Sequence, residues 1–533
     1  MTTLRADVAL SVILFVGTCT YLGVFWPHAL YGLDEGMFLY ESKRIVDGQV
    51  MYRDFFELWG PMGNYALALM YALFGVSMET ARGSMAVLHA VIVVLVYAIM
   101  RRLGVRPMLA AVLSLTHIAL FFPALAFASP HWLSTALTLM VFLCALRAPV
   151  LRGGHAVALG VLTALVALTQ QPKGVGTAAA VVIVLIRDVW TARHTHRLTS
   201  ALVRQLGAFA IGLLGVLALI LGGFVLVAGF EPVFDALVRM PLGPYRRFTF
   251  VKEGRWFLLT LDWALLRRLI VELPPSLIVH VIILNVMPFI IPVSAGRLIW
   301  QTVNRVSAEE RRPLFVAVVF SALSIISVIY YPASHHFAVV GPIWLILYAE
   351  SLERLIERAE DLLQTRFVRP LATLTVLALL ALGLRQTYPG SSYGVPGDTS
   401  FGRVQFHSEA EVDEIKALRT TLQAAGAKEV FVYPSAAGVY LMTGTSNPTR
   451  YQLLIPGYNT AEQFAEVQET LERERVPFVV RSLSFWGQDD PLLPYLREHY
   501  EGVKLPRQYH TLPTLSLFRR KADGGDNSPL HEP

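Results

Sequence analysis

The chain has 533 residues, of which 54% are hydrophobic and only 16% charged, and its mean hydropathy is +0.52. Soluble proteins carry about 25% charged residues, and one large core cannot absorb the difference, because cores beyond ~250–300 residues split into domains. The formal net charge of +6 is parcelled between apolar runs, which argues against a nucleic-acid partner and makes the cations a topology signal. Cys19 and Cys144 both lie inside apolar runs and offer no disulfide framework.

In chain order, Val8 to Trp26 contains no Asp, Glu, Lys or Arg, and it is long enough to span a bilayer. No small-residue cleavage pattern follows it, so it reads as an uncleaved first span. Eleven spans are expected, over roughly 7–27, 81–100, 107–126, 130–147, 155–171, 174–187, 206–228, 274–296, 313–331, 336–350 and 370–387. Arginines gather in alternate loops: Arg101, Arg102 and Arg106; Arg147 and Arg152; Arg187, Arg193, Arg197 and Arg204; Arg297, Arg305, Arg311 and Arg312; Arg354, Arg358, Arg366 and Arg369. That side is read as cytoplasmic. The N-terminus is then inside, and loops 28–80 and 229–273 and the tail 388–533 lie outside.

The fold class expected is a polytopic α-helical membrane protein with a small C-terminal α/β domain. Residues 1–387 form the membrane domain and 388–533 the extracytoplasmic one, joined by the turn-rich Tyr388–Ser392. In the tail, Glu409–Ala424 and Thr460–Arg475 read as helices. Glu429–Tyr433, Phe478–Val480 and Leu515–Phe518 read as strands, and Asp523 onward as a disordered end.

The first outer loop places Asp34, Glu35, Glu41, Asp47, Asp54 and Glu57 between two spans. Asp34–Asp47 has helical spacing and is expected to lie along the membrane interface, followed by a second surface helix over Asn64–Phe74. Asp34 and Glu35 stand close to the end of the first span. A carboxylate there suits general base catalysis on a hydroxyl, and Asp34 is equally well placed to N-cap the surface helix. Asp54 and Glu57 read as solvated loop charges.

The second outer loop is basic, with Arg239, Arg246, Arg247, Lys252, Arg255, Arg267 and Arg268 beside Tyr245 and Trp256. It fits phosphate binding through Arg and also an amphipathic segment resting on head groups. Lys173, in Gln170–Gly174, and Arg82 lie at the outer ends of spans, where a cation snorkels or holds an anion. His335 and His336 form an outer turn after Tyr330-Tyr331-Pro332. Their adjacency is not a helical metal spacing, and hydrogen bonding or phosphate contact is expected instead. His117 and His131 read as packed. No metal or other cofactor is indicated, and the chain has no P-loop, GxSxG, HExxH or CxxC.

Several stretches, taken in order, resemble the GT-C superfamily of lipid-dependent glycosyltransferases. They are Asp34-Glu35 after the first span, Tyr52–Tyr65 (YRDF…GPMGNY), Leu73-Phe74-Gly75, Glu79–Leu88 with Arg82, Gln171–Gly174, and Val430–Tyr451 in the tail. The pattern is similar to the bacterial branch that includes protein O-mannosyltransferase-like and lipid A aminoarabinose transferase-like members. The resemblance implies an inverting transfer from a polyprenyl-phosphate sugar to a hydroxyl of a glycan, lipid or protein outside the cytoplasmic membrane. It implies Asp34 as base, with Glu35 in support. Lys173, Arg82, Arg246, Arg247, His335 and His336 are the expected donor-phosphate ligands, and Tyr52, Asp54 and Glu57 belong to an acceptor-side or structural loop. The chain departs from the aminoarabinose branch at Trp59-Gly60-Pro61, which lacks that branch's lysine. A flippase or transporter of lipid-linked glycans and an O-antigen ligase or polymerase are the competing classes. A transporter would place charges at the bilayer midplane in repeated halves, whereas here the ionisable residues gather at the outer rim.

Overall fold

The apolar runs fold as helices. The computed structural model describes residues 2–147, 153–192, 198–248, 267, 275–329, 333–386, 394–482, 490–506 and 514–522. Arg152, Arg193, Arg197, Lys252, Arg255, Trp256, Arg268, Tyr330–Pro332, the Tyr388–Ser392 linker and the tail from Asp523 lie outside the described residues.

Helices α1 (Thr2–Phe25), α4 (Met78–Arg102), α5 (Pro107–Ser114), α6 (Pro130–Ala145), α7 (Gly153–Thr169), α8 (Gln171–Thr191) and α9 (Leu198–Ala228) form the first part of a bundle. α5 runs on through a π turn at His117–Phe121 and a tight turn at Phe122–Leu125. Helices Pro275–Val286, Ile290–Val303, Ala308–Ser324, Ser334–Leu363 and Val368–Gln386 follow. Six segments among the described residues are long and apolar enough to cross a membrane: Leu4–Phe25, Met78–Arg102, Pro107–Leu125, Gln171–Thr191, Thr199–Ala228 and Val281–Val303. The other expected spans are helical but shorter or more charged, so the six, and not eleven, meet that criterion.

Val8, Ile13 and Val16 on α1 and Ile211, Leu214, Leu219 and Leu226 on α9 are exposed. Contiguous apolar surface on this scale needs a nonpolar surrounding, which makes the protein a multi-pass membrane protein. Trp132, Trp344, Phe121, Phe142 and Tyr97 fill the centre of the bundle. At one end, Arg312 pairs with Asp188 and donates to Ala145 O and Leu146 O. Glu350 there binds Arg297 and Arg354.

The opposite end carries α2 (Gly32–Val46) and α3 (Met62–Phe74). α2 is not a helix lying open on the membrane surface. Glu35, Phe38, Leu39, Tyr40, Glu41 and Ser42 are all buried, because α3, Arg82 and the C-terminal segment pack around them. Tyr40 stacks on Tyr440 with ring centroids 4.5 Å apart, and Tyr40 Oη accepts the Asn447 N–H at 2.7 Å. The two backbones cross so closely that a Cβ on Gly36 would stand 2.8 Å from Gly438 N. Glycine is the residue type that permits such an approach.

In the C-terminal segment, β1 (Val395–Thr399) and β2 (Gly402–Phe406) form an antiparallel hairpin. Gln405 exchanges two hydrogen bonds with His28, just beyond α1. A second sheet has the order β3-β4-β6-β5, with β3 (Phe431–Tyr433), β4 (Phe478–Ser482), β5 (Tyr500–Val503) and β6 (Leu515–Arg520). β3 and β4 are parallel and the other pairs antiparallel. Helix Glu409–Ala424 has the bounds expected from its periodicity. Helix Ala461–Arg473 opens with a capping box between Thr460 and Gln463.

Candidate active site

Where the end of the bundle meets the C-terminal segment there is a cavity of about 310 Å³. Six parts of the chain wall it. α2 contributes Asp34, Met37, Phe38 and Glu41, and the loop before α3 contributes Phe56–Trp59 with Asn64 from α3 itself. The start of α6 adds Ser129, Pro130 and His131, joined by His335 and His336. The C-terminal segment adds Tyr451–Leu453, Ile455 and Tyr458, with Tyr245 and Phe248 beside them.

Asp34 is the third residue of α2, so it is not the N-cap. The cap position belongs to Tyr31, whose N–H is taken by Glu35 Oε2 at 2.7 Å. Asp34 keeps exposed surface and lines the cavity. The protein packed around it pushes its carboxyl above the usual carboxylate range by desolvation.

Glu41 lies two helical turns further along the same face of α2. It is 1% exposed, and Asn64 Nδ2 and Gln452 Nε2 donate to it at 2.8 and 3.2 Å. Glu57 is buried too, with the Trp59 N–H on its Oε1 at 2.9 Å, so it is not the solvated loop charge expected from sequence. Glu41 and Glu57 are within hydrogen-bonding reach of one another. Burial first, and then the Glu57 charge, raise the Glu41 carboxyl well above the ordinary range. Burial raises Glu57 as well, against the hydrogen bond from Glu41. Two buried carboxyl groups this close oppose each other's ionisation.

The other wall carries imidazoles. The His131 ring meets Trp59 and His336 edge-on, at 5.5 and 5.7 Å between centroids, and His335 adjoins His336 at 4.3 Å. Behind His131 lies Lys173, 1% exposed. Its Nζ donates to Ser134 Oγ at 2.9 Å, Thr135 Oγ1 at 3.0 Å and His131 O at 3.4 Å. No carboxylate forms an ion pair with it among the described residues.

Glu35 and Arg82 are brought together but do not line the cavity. Arg82 holds both Glu35 oxygens, at 2.5 and 3.0 Å, donates to Pro27 O and Ala29 O, and lies over the Trp26 ring at 4.5 Å. Glu35 also accepts the Ala128 N–H at 2.6 Å. All these groups are engaged in tying α2, α4 and the chain before α6 together. Tyr52 is buried, its hydroxyl donating to Trp59 O at 2.8 Å. Asp54 pairs with Arg53 and accepts the Val50 N–H. Both shape the loop that delivers Glu57. Arg246 and Arg247 are exposed on the turn Pro244–Arg247, whose neighbours Tyr245 and Phe248 reach the cavity. Arg239 pairs with Glu231 and Asp235.

Glu41, Asn64 and Gln452 carry no site assignment from the sequence, and His131, read there as packed, lines the cavity. The seven-residue spacing from Asp34 to Glu41 is a same-face signal, and Ser129-Pro130 is a helix-start signal that places His131 in a first turn. No local signal brings Gln452 to Glu41.

The helical membrane fold, with its acidic, histidine-faced cavity under a C-terminal α/β segment, is similar to known proteins in part of its sequence and in its overall structure. Residues 59–221 match the family model described as dolichyl-phosphate-mannose-protein mannosyltransferase. The structure of ArnT from Cupriavidus metallidurans bound to undecaprenyl phosphate superposes with a TM-score of 0.58 at 15% identity, covering 97% of this chain and 98% of that one. Its apo form gives 0.54 at 14% identity, with 97% of each chain covered. No curated protein matches the sequence. The chain shares its fold with the Cupriavidus protein.

Proposed function

We propose that this protein is an inverting glycosyltransferase that moves a sugar from a polyprenyl-phosphate donor to a hydroxyl of a glycan, lipid or protein. The reaction is placed at the outer face of the cytoplasmic membrane. The observation that carries the reading is the single cavity lined by the carboxyl group of Asp34 and by His131, His335 and His336. That is the pair of functions the reaction needs, a base for the acceptor and polar donors for the departing phosphate. The matched mannosyltransferase family model and the undecaprenyl phosphate bound to the Cupriavidus protein support the class of donor.

In this reading Asp34 takes the proton of the acceptor hydroxyl as its oxygen attacks the anomeric carbon. The bond from that carbon to the phosphate oxygen breaks, and the phosphate leaves with the electron pair. His131, His335 and His336, with Lys173 behind them, stabilise the charge that gathers on it. Arg246 and Arg247 stand beside the cavity, where a lipid phosphate would enter. Glu35 and Arg82 act on the reaction only by fixing the end of α2 that carries Asp34. The alternation of arginine-rich loops supports the outward orientation.

The test is Asp34→Asn. The variant is expected to insert and bind undecaprenyl phosphate like the wild type, and to release no sugar from undecaprenyl-phosphate-linked hexoses. Wild-type turnover by that variant would overturn the assignment of the base. Movement of the uncleaved lipid-linked sugar across vesicles by the wild type would replace the transferase reading with a transporter.

A further inference from the structure

Gln452 is the residue by which the C-terminal segment enters the carboxyl wall. It is 3% exposed and lines the cavity. The backbone that carries it is clamped onto α2. Arg44 donates to Thr449 O from two nitrogens at 3.2 Å, and Asn447 Nδ2 and Thr449 Oγ1 both donate to Tyr451 O. The amide itself is oriented by its Nε2 bond to Glu41 Oε1, while Asn64 occupies Glu41 Oε2. Turning the amide over would set its oxygen against Glu41 Oε1 and forfeit that bond.

This leaves Gln452 Oε1 buried without a hydrogen-bond partner among the described residues. A buried carbonyl oxygen with no donor costs stability, and such groups in proteins are nearly always satisfied. One held in place at a cavity wall is positioned for a donor that arrives with a ligand. The cavity, at about 310 Å³, lies at the lower end of the roughly 300–1,000 Å³ typical of ligand sites. That suits one sugar ring beside its phosphate better than a glycan chain.

Resting on the glycosyltransferase reading, we infer that Gln452 accepts a hydrogen bond from a hydroxyl of the donor's glycosyl group, which makes the C-terminal segment a specificity-determining wall of the site. Sites built to bond a hydroxyl discriminate strongly against ligands that lack it.

The experiment uses the full chain in lipid nanodiscs, titrated with undecaprenyl phosphate alone and with undecaprenyl phosphate carrying glucose, mannose or galactose. The wild type is expected to bind at least one sugar-bearing lipid about tenfold or more tightly than the bare lipid. Gln452→Met keeps the length of the side chain and removes the amide. It is expected to lose that gain and to bind the bare lipid as the wild type does. A gain that survives in Gln452→Met overturns the inference and leaves the glycosyltransferase reading standing. A wild type in which none of the sugars adds affinity overturns it as well. If the bare lipid fails to bind the wild type, the underlying reading falls and the inference falls with it. Should Gln452→Met not fold, Gln452→Asn, which keeps the amide and shortens its reach, is expected to lose the same gain, and retention overturns the inference.

Discussion

Arg82 and Glu35 form a buried ion pair with Nη1 and Oε1 2.5 Å apart and side chains only 4% and 0% exposed. Removing one member of such a pair strands the other's charge away from water, at a cost of about 3–5 kcal/mol. Arg82→Ala and Glu35→Ala are therefore expected to lower the thermal midpoint sharply, and Asp34→Asn next door to leave it unchanged. Arg82→Lys rescues little, because an ammonium cannot match the two-pronged contact. An Arg82→Ala protein of wild-type stability that had lost only its affinity for undecaprenyl phosphate would return this arginine to the phosphate site.

The pH dependence of turnover follows from Asp34. Desolvation holds its carboxyl above the ordinary aspartate value, and a base in the proposed reaction works only when ionised. Turnover is expected to rise with pH through an apparent pKa above that value, with the acid limb moving if Met37 or Phe38 beside it is replaced by a polar residue. A pH–kcat/KM profile in nanodiscs reads this directly. An acid limb at the ordinary aspartate value would contradict the packing around Asp34.

Stability has its own pH dependence through Glu41. Its folded-state pKa is raised by burial and by Glu57, so the folded protein favours the protonated form. The stabilisation is fully present below the unfolded glutamate value and is lost as pH rises through the folded one. Glu41→Gln cannot ionise, its amide oxygen can accept from Asn64 or Gln452, and its N–H can donate to Glu57. The variant is expected to gain stability on the wild type as pH increases, measured as the difference in thermal midpoint between pH 5 and pH 9. A constant difference across that range would show that burial and Glu57 do not raise the Glu41 carboxyl.

Much of this architecture was legible because membrane helices announce themselves locally. The runs around α1, α4 and α9 need only length and apolarity to be found, and helix Glu409–Ala424 needs only its periodicity and its Ser408 cap. Asp34 was legible by its position after a span. What escaped was whatever depends on contacts between distant parts of the chain. Glu57 looked like a solvated charge because nothing near it in sequence covers it, whereas in the fold Glu41 and the C-terminal segment do. Gln452 and Glu41 are separated by 411 positions, and neither carries a mark of the other. The covered face of α2 was hidden for the same reason. Its alternating polar and apolar residues look amphipathic until Tyr440 and Gly438 are brought against it.

That covering is open to a direct test at Gly36. Valine there would force its side chain into the Gly438 backbone, 2.8 Å from where the Cβ begins. Gly36→Val is expected to lift the C-terminal segment from α2, increase its cleavage by added protease, and abolish turnover although Asp34 is intact. Gly36→Ala asks for a smaller shift and should show the same effects in weaker form. Undisturbed protease resistance in Gly36→Val would mean that the two backbones are not held together at this crossing.

Lys173 separates a structural cation from a functional one. Its partners do not depend on it. Ser134 Oγ also donates to His131 O at 2.7 Å and Thr135 Oγ1 to Val339 O at 2.6 Å. A buried ammonium held by neutral oxygens is expensive, and replacing it by an apolar side chain of similar length is neutral or stabilising where nothing else relies on its charge. Lys173→Met is thus expected to leave the thermal midpoint equal or higher. Its affinity for undecaprenyl phosphate should fall about tenfold or more, in keeping with the ~1.5–3 kcal/mol of a charged hydrogen bond. The measurements are a melting curve and a lipid titration on the same preparation. A lower midpoint with unchanged lipid affinity would make Lys173 a brace between α6 and α8 and remove it from the phosphate site.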